Sequence, residues 1–155
     1  MKDTSLTFHP YTEPAQDYLQ EVCEQLGHPQ EQKRVMRIWR SVMHTFRDRF
    51  PLEGAFLIIS PLPVIFRGIY TEDWDIHKHP ALTYTSIKEM KTQVKELQAE
   101  YGEEAFSWNI ATEKIIAITF FSLQKFMKEE HLDHLLTLLP NEIKEYLESE
   151  RNSNQ

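Results

Sequence analysis

The 155-residue chain is 41% hydrophobic and 26% charged with only 4 glycines, which excludes a disordered or low-complexity chain and leaves room for a core built without disulfides or metal. Acidic residues outnumber basic ones 24 to 17, so the net charge of -7 opposes indiscriminate binding to nucleic acid or anionic membranes. The single Cys23 excludes an internal disulfide and, set among Leu19, Val22 and Leu26, reads as a small core residue in a reducing compartment.

Met1 to Pro14 contains no apolar segment of the signal-peptide type, and the longest apolar stretches, Ala55 to Ile59 and Ile115 to Phe121, fall well short of the ~20 residues that span a bilayer. A cytoplasmic chain without a membrane partner is expected.

Thr12 and Pro14 mark the start of a first helix, which places Ala15, Leu19, Val22, Cys23 and Leu26 on one face before Gly27 ends it. A long helix over 33 to 50 follows, with Val35, Trp39, Val42, Phe46 and Phe50 as its apolar stripe. Ser86 and Glu89 form a capping box for a helix over 86 to 101, with Ile87, Met90, Val94, Leu97 and Tyr101 at 3/4 spacing and Gly102 at its end. The run Ile115 to Phe121 has the β-branched and aromatic content of a strand. It reads as part of a helix over 111 to 128 because it occupies the place of the earlier long helix in an internal repeat. Being apolar nearly all round, it is expected to be the central buried helix.

That repeat rests on Leu62-Pro63 and Leu139-Pro140, 77 positions apart. At the same offset Phe46 maps to Leu123, Phe50 to Met127, Ile58 to Leu135, Ile59 to Leu136 and Phe66 to Ile143. The expected architecture is an all-α, compact helical bundle of two tandem, sequence-related repeats packed together. Repeat one covers about 12-70, a linker about 71-84 and repeat two about 85-148 within a single domain of 1-148; residues 149-155 are expected to form a disordered tail.

The run Leu62-Pro63-Val64-Ile65-Phe66-Arg67-Gly68-Ile69-Tyr70, followed by Trp74, resembles a largely bacterial family known as Domain of Unknown Function twenty-two sixty-seven. The likeness covers about Ala15 to Tyr146 and implies an all-helical fold. It implies no activity, cofactor or catalytic residue. Where relatives tend to have Tyr-Tyr-x-Gly-Trp, this chain has Tyr70-Thr71-Glu72-Asp73-Trp74, followed by two histidines.

Three places invite a functional reading. Lys33, Arg37, Arg40, His44 and Arg47 follow 4/3/4/3 spacing along the second helix and form a basic stripe opposite the apolar one. Such a stripe is either a solvated face balanced by carboxylates or a docking strip for an acidic partner, a phosphate-bearing ligand or nucleic acid. A docking strip requires Arg37, Arg40 and Arg47 to be free of internal carboxylates and dispensable for folding. Leu62, Pro63, Arg67, Gly68, Tyr70 and Trp74 form the family-motif corner, in which the Tyr70 phenol is expected beside the Arg67 guanidinium with Trp74 closing the corner. Asp73, Asp75, His77 and His79 alternate potential oxygen and nitrogen ligands, but no cysteine joins them and Pro80 closes the turn, so no metal is expected there. His131 and His134 lack the glutamate and third ligand of a zinc motif.

The chain has no glycine-rich phosphate loop and no Gly-x-Ser-x-Gly elbow, and Glu103-Glu104 and Glu129-Glu130 fall at helix starts or junctions where dipole compensation accounts for them. The expectation is a non-catalytic module without cofactors, an adaptor or scaffold that binds protein or associates with itself; nucleic acid is disfavoured. The alternative is a small-ligand or metal-binding protein using the cleft between the repeats or the Asp73 to His79 loop. A nucleic-acid binder using the basic stripe ranks third.

Overall fold

Prolines start several of the helices, where a missing amide hydrogen costs nothing because the first amides of a helix have no internal acceptor. In the computed structural model, which describes residues 2–103 and 109–153, α1 spans His9–Gln25 with Pro10 in its first turn, and α2 spans Gln32–Arg47. Pro51 and Pro63 stand immediately before α3, Leu52–Leu57, and α4, Val64–Thr71. A single 3-10 turn, Ile76–Lys78, leads to α5, Ile87–Glu100, whose first amides are met by the Ser86 hydroxyl accepting from the Glu89 N–H at 3.1 Å. Next, α6 covers Thr112–Phe121 and tightens into a 3-10 turn at Ser122–Lys125; α7 covers Glu129–Thr137 and α8 Asn141–Ser153, directly after Pro140.

The fold is all-α: among the described residues there is no strand, and no helix is long and apolar enough to cross a membrane. Gly27 and Gly102 end α1 and α5 at φ +78° and +92°, the left-handed geometry a side chain would oppose. The first helix begins at His9, earlier than its Thr12-Pro14 signal. Pro14 lies inside it on the exposed side, where losing one hydrogen bond in the opening turns is tolerated. At the other end of the chain, the expected tail at 149-155 is corrected over 149–153. There α8 continues to Ser153, held by Arg151 donating to Asp133 at 2.7 Å while its guanidinium lies over the Phe121 ring. Residues 154 and 155 lie outside the described residues.

The central helix is α2, not the uniformly apolar α6. Val35, Ile38, Trp39, Val42, Met43 and Phe46 are fully buried, and Ser41, His44, Thr45 and Arg47 are buried with them, because α1, α3, α4, α5 and α6 all pack on it. On α6, Ile115, Ile116, Ala117 and Phe120 are buried against α1, α2, α5 and α8, while Ile118 and Phe121 stay half-exposed.

A buried polar chain ties α1, α2 and the end of α6 together. The Trp39 indole N–H, which can only donate, bonds the Tyr18 hydroxyl at 2.9 Å; Tyr18 therefore turns its own hydrogen to Ser122 Oγ at 2.6 Å, and Ser122 donates to the Thr119 carbonyl. Phe66 and Phe126 meet the Tyr18 ring edge-on, both at 4.9 Å between centroids, and burial pushes the phenol up to about 12.

Where α3 meets the preceding turn and α7, a Cβ built on Gly54 falls 3.0 Å from both the Phe50 ring and Leu138 Cδ1. Phe50 is fully buried and stacked on Phe46, so it cannot give way. Gly54→Ala is therefore expected to lose about 1 to 2 kcal/mol of stability in chemical denaturation, strain outweighing the better helix propensity of alanine.

Candidate functional site

The cationic row on α2 runs from the exposed Lys33 and Arg37 to the buried His44 and Arg47, and from Arg37 onward its members are bonded within the chain. Arg37 Nη1 donates to Glu103 Oε1 at 2.6 Å, joining α2 to the turn after α5. Arg40 Nη2 reaches Asp73 at 2.9 Å and Glu72 at 3.2 Å, while its guanidinium lies 3.9 Å above the Tyr101 ring. Arg47, 2% exposed, donates through Nη1 to the carbonyls of Tyr70 at 2.7 Å and Glu72 at 2.8 Å, and grips Asp48 with Nε and Nη2. Of the five, Lys33 alone is exposed and without a partner among the described residues. The docking-strip reading of Arg37, Arg40, His44 and Arg47 is thus corrected. These groups are spent on carboxylates and carbonyls of the same chain, and an acidic partner would have to displace them.

His44 is 1% exposed and fixed from both sides. Nε2 lies 2.8 Å from the Ile69 carbonyl, which can only accept, so Nε2 carries the hydrogen; Nδ1, 2.9 Å from the Tyr101 hydroxyl, accepts from it. Burial, together with the neighbouring Arg47 and Arg40, lowers its pKa to about 4. With Arg47, this neutral ring caps the last turn of α4: Nε2 adds to the 3.3 Å bond that the Ile69 carbonyl accepts from the Glu72 amide, and Arg47 supplies the Tyr70 carbonyl.

The family-motif corner is arranged differently from the expectation that Arg67 and Tyr70 lie side by side. Arg67 turns back to the turn before α4, donating to the Leu62 and Ser60 carbonyls at 2.7 and 2.9 Å. Tyr70 is buried and donates to the Ala55 carbonyl at 2.7 Å, pinning α4 to α3; burial pushes its phenol up. Leu62 is buried and Pro63 starts the helix. Trp74 closes the corner as expected, with Tyr70 and Phe56 at centroid distances of 6.2 and 5.3 Å and the Arg47 guanidinium 5.4 Å from its ring. Gly68 sits in ordinary helix with open space where a Cβ would stand.

Three of the linker's histidine and aspartate side chains, those of Asp73, Asp75 and His79, are engaged within the chain. Trp74 donates its indole N–H to His79 Nδ1 at 3.1 Å, and His79 Nε2 donates to the Phe50 carbonyl at 2.6 Å, so both nitrogens are committed. Asp75 accepts from the His77 amide and Asp73 holds Arg40. Among the described residues no group of three or more His, Cys, Asp or Glu converges as metal ligands. His134 bonds Glu53 at 2.6 Å on another part of the surface. Glu103 is the partner of Arg37; Glu104 lies outside the described residues.

Sequence reading missed three participants. Arg49 donates to the Tyr84 carbonyl at 2.7 Å, the Tyr84 hydroxyl donates to the Thr45 carbonyl at 2.9 Å, and Tyr101 lies under Arg40 and against His44.

The fold and corner together define a small all-helical protein with a clasped inter-helix linker. The chain matches the family described as Uncharacterized conserved protein (DUF2267) over residues 15–146, and it belongs to that family. No curated protein matches it.

Membership also makes sense of Asp73. At φ +55° it holds a left-handed conformation at the place where the family pattern tends to have glycine, and its carboxylate is tied to Arg40. Asp73→Ala loses the ion pair and keeps the backbone cost, whereas Asp73→Gly loses only the pair. The glycine variant is expected to be more stable than the alanine variant by about 1 kcal/mol in urea denaturation.

His44 makes stability depend on pH. Its folded pKa, about 4, lies below the ordinary value of 6.5, so the unfolded chain binds the proton more readily. The contribution is therefore complete above pH 6.5 and is lost as pH falls towards 4, on the order of 3 kcal/mol across the window. Urea midpoints at pH 7.5 and pH 5 should differ more for the wild type than for His44→Gln.

Proposed function

We propose that this protein is a non-catalytic interaction module, an adaptor or scaffold of the cytoplasm, whose docking face is the outer surface of α3, α4 and the 3-10 turn. One observation carries the reading. Among the described residues, five of the eight exposed large hydrophobic side chains, Leu52, Phe56, Val64, Ile65 and Ile76, lie within this short span, on elements joined through Trp74. Exposed apolar side chains concentrated on one part of a small protein mark a contact surface.

Gly68 supports it. A helical glycine costs roughly 0.5–1 kcal/mol relative to alanine, and nothing in the fold fills the space beside it, whereas a partner packing close to α4 would use that space. The non-catalytic reading draws support from His44, Arg47, Tyr18 and Tyr70, four buried titratable groups that are each held by backbone carbonyls or other core groups.

The same reading includes an internal duplication, in which α2, α3 and α4 correspond to α6, α7 and α8. The 77-residue offset supports it, as does the common behaviour of Leu62-Pro63 and Leu139-Pro140, each a buried leucine followed by the proline that precedes a helix. In this view the second unit is the structural partner that completes the core and the first carries the docking face.

Leu52→Glu combined with Ile65→Glu tests the proposal. Both side chains are exposed, so the melting temperature should stay within a few degrees of wild type, while a partner recovered with the wild-type protein from its native host should be lost. Recovery of the same partner by both proteins would remove the face from consideration.

A further inference from the structure

We infer that the occupant of this face is a basic amphipathic helix of another protein, seated over Leu52, Phe56, Trp74 and Ile76. The inference rests on the reading of α3, α4 and the 3-10 turn as a docking surface and adds the partner's chemistry. Leu52 and Phe56 are one helical turn apart and so share a face of α3. The Phe56 ring meets Trp74 at 5.3 Å. Trp74 and Ile76 in turn line a shallow depression of about 570 Å³ together with Thr71, Asp73, Asp75 and His77. An apolar strip thus runs from Leu52 and Phe56 on α3 to the edge of a shallow depression lined in part by Trp74 and Ile76, a surface on which an apolar helix face can lie.

Charge selects the occupant. Four carboxylates border the strip: Glu53 next to Leu52, and Glu72, Asp73 and Asp75 on either side of Trp74. The Glu53 and Asp73 side chains are 66% and 78% exposed. Arg40, bound to both Glu72 and Asp73, the buried Arg47, whose charge is matched by Asp48, and the exposed Lys78 are the cations beside them; His134 bonds Glu53. The rim is therefore net negative on a protein of charge -7. An anionic membrane, a nucleic acid or a second copy of this chain would bring like charge to that rim, whereas lysines and arginines flanking an apolar stripe would meet it with opposite charge.

The test uses the full chain and two synthetic 14-residue amphipathic helices with the same leucine face, one with lysine and one with glutamate on the polar face. The lysine peptide should shift the amide resonances of residues 52–56 and 72–78, and its affinity should fall at least threefold between 50 and 300 mM salt. The glutamate peptide should leave those resonances unmoved. Glu53→Lys with Asp75→Asn, which keeps the side-chain cap on the His77 amide, should weaken lysine-peptide binding at least tenfold at unchanged melting temperature.

Equal binding of both peptides, or shifts confined to other residues, overturns the inference. Concentration-dependent shifts of the same resonances in the protein alone would make a second copy the occupant; the inference then fails while the docking surface stands. If neither peptide moves these resonances and Leu52→Glu with Ile65→Glu leaves the native partner bound, the inference and the docking surface fail together.

Discussion

The last turn of α4 ends against α2, and the bonds from His44 and Arg47 to the carbonyls of Ile69, Tyr70 and Glu72 are the constraint on which the other parts depend. An eight-residue helix has about twice as many unsatisfied end groups as internal bonds and does not hold its form alone. Anchored there, α4 can bury Phe66 and Tyr70, and Tyr70 in turn fixes α3 through the Ala55 carbonyl. The linker beyond it then has a starting point from which Asp73 meets Arg40, His79 meets Phe50 and Tyr84 meets Thr45. A row of cations and one neutral imidazole thereby organises three segments distant in sequence. Arg47 explains why burial of a charge is acceptable here: three carbonyl or carboxylate partners surround it, so little of its hydration is left uncompensated.

Much of this was written in local spacing. The apolar stripes of α1, α2 and α5, the Ser86 cap and the glycines at 27 and 102 follow from helix geometry alone. The helical state of Ile115 to Phe121 emerged only by analogy with the earlier long helix, because its composition favours a strand. The row at Arg37, Arg40, His44 and Arg47 was equally visible as a row. Periodicity identifies residues that share a helix face but not what stands opposite that face, and here the covering groups come from segments 23 to 66 positions away. A strong two-faced pattern therefore suggested a surface helix where the structure has its central one.

The corner shows the complementary error. Arg67 and Tyr70 are three apart on α4, near enough for contact, yet both side chains leave each other for backbone carbonyls of the preceding turn and of α3. Unpaired carbonyls near helix ends are strong acceptors and compete well against a weak contact between a guanidinium and a phenol. The motif residues thus act as fasteners of backbone, and the apolar groups left exposed around them, rather than the motif itself, form the surface available to a partner.

The chain from Trp39 through Tyr18 and Ser122 to Thr119 has a direction: the indole only donates, the carbonyl only accepts, and the two hydroxyls between them each receive a hydrogen from one side and pass their own to the next. Replacing one link by an apolar residue strands its neighbours: phenylalanine at 18 would leave an indole donor facing a hydrocarbon ring and the Ser122 oxygen without its donor. Single-step drift at these sites is consequently closed, and divergence among relatives should proceed there by paired exchange. Residues on α1, α2 and the turn after α6, separated by up to 104 positions, are thus bound into one heritable unit, whatever the outer face of the molecule comes to recognise.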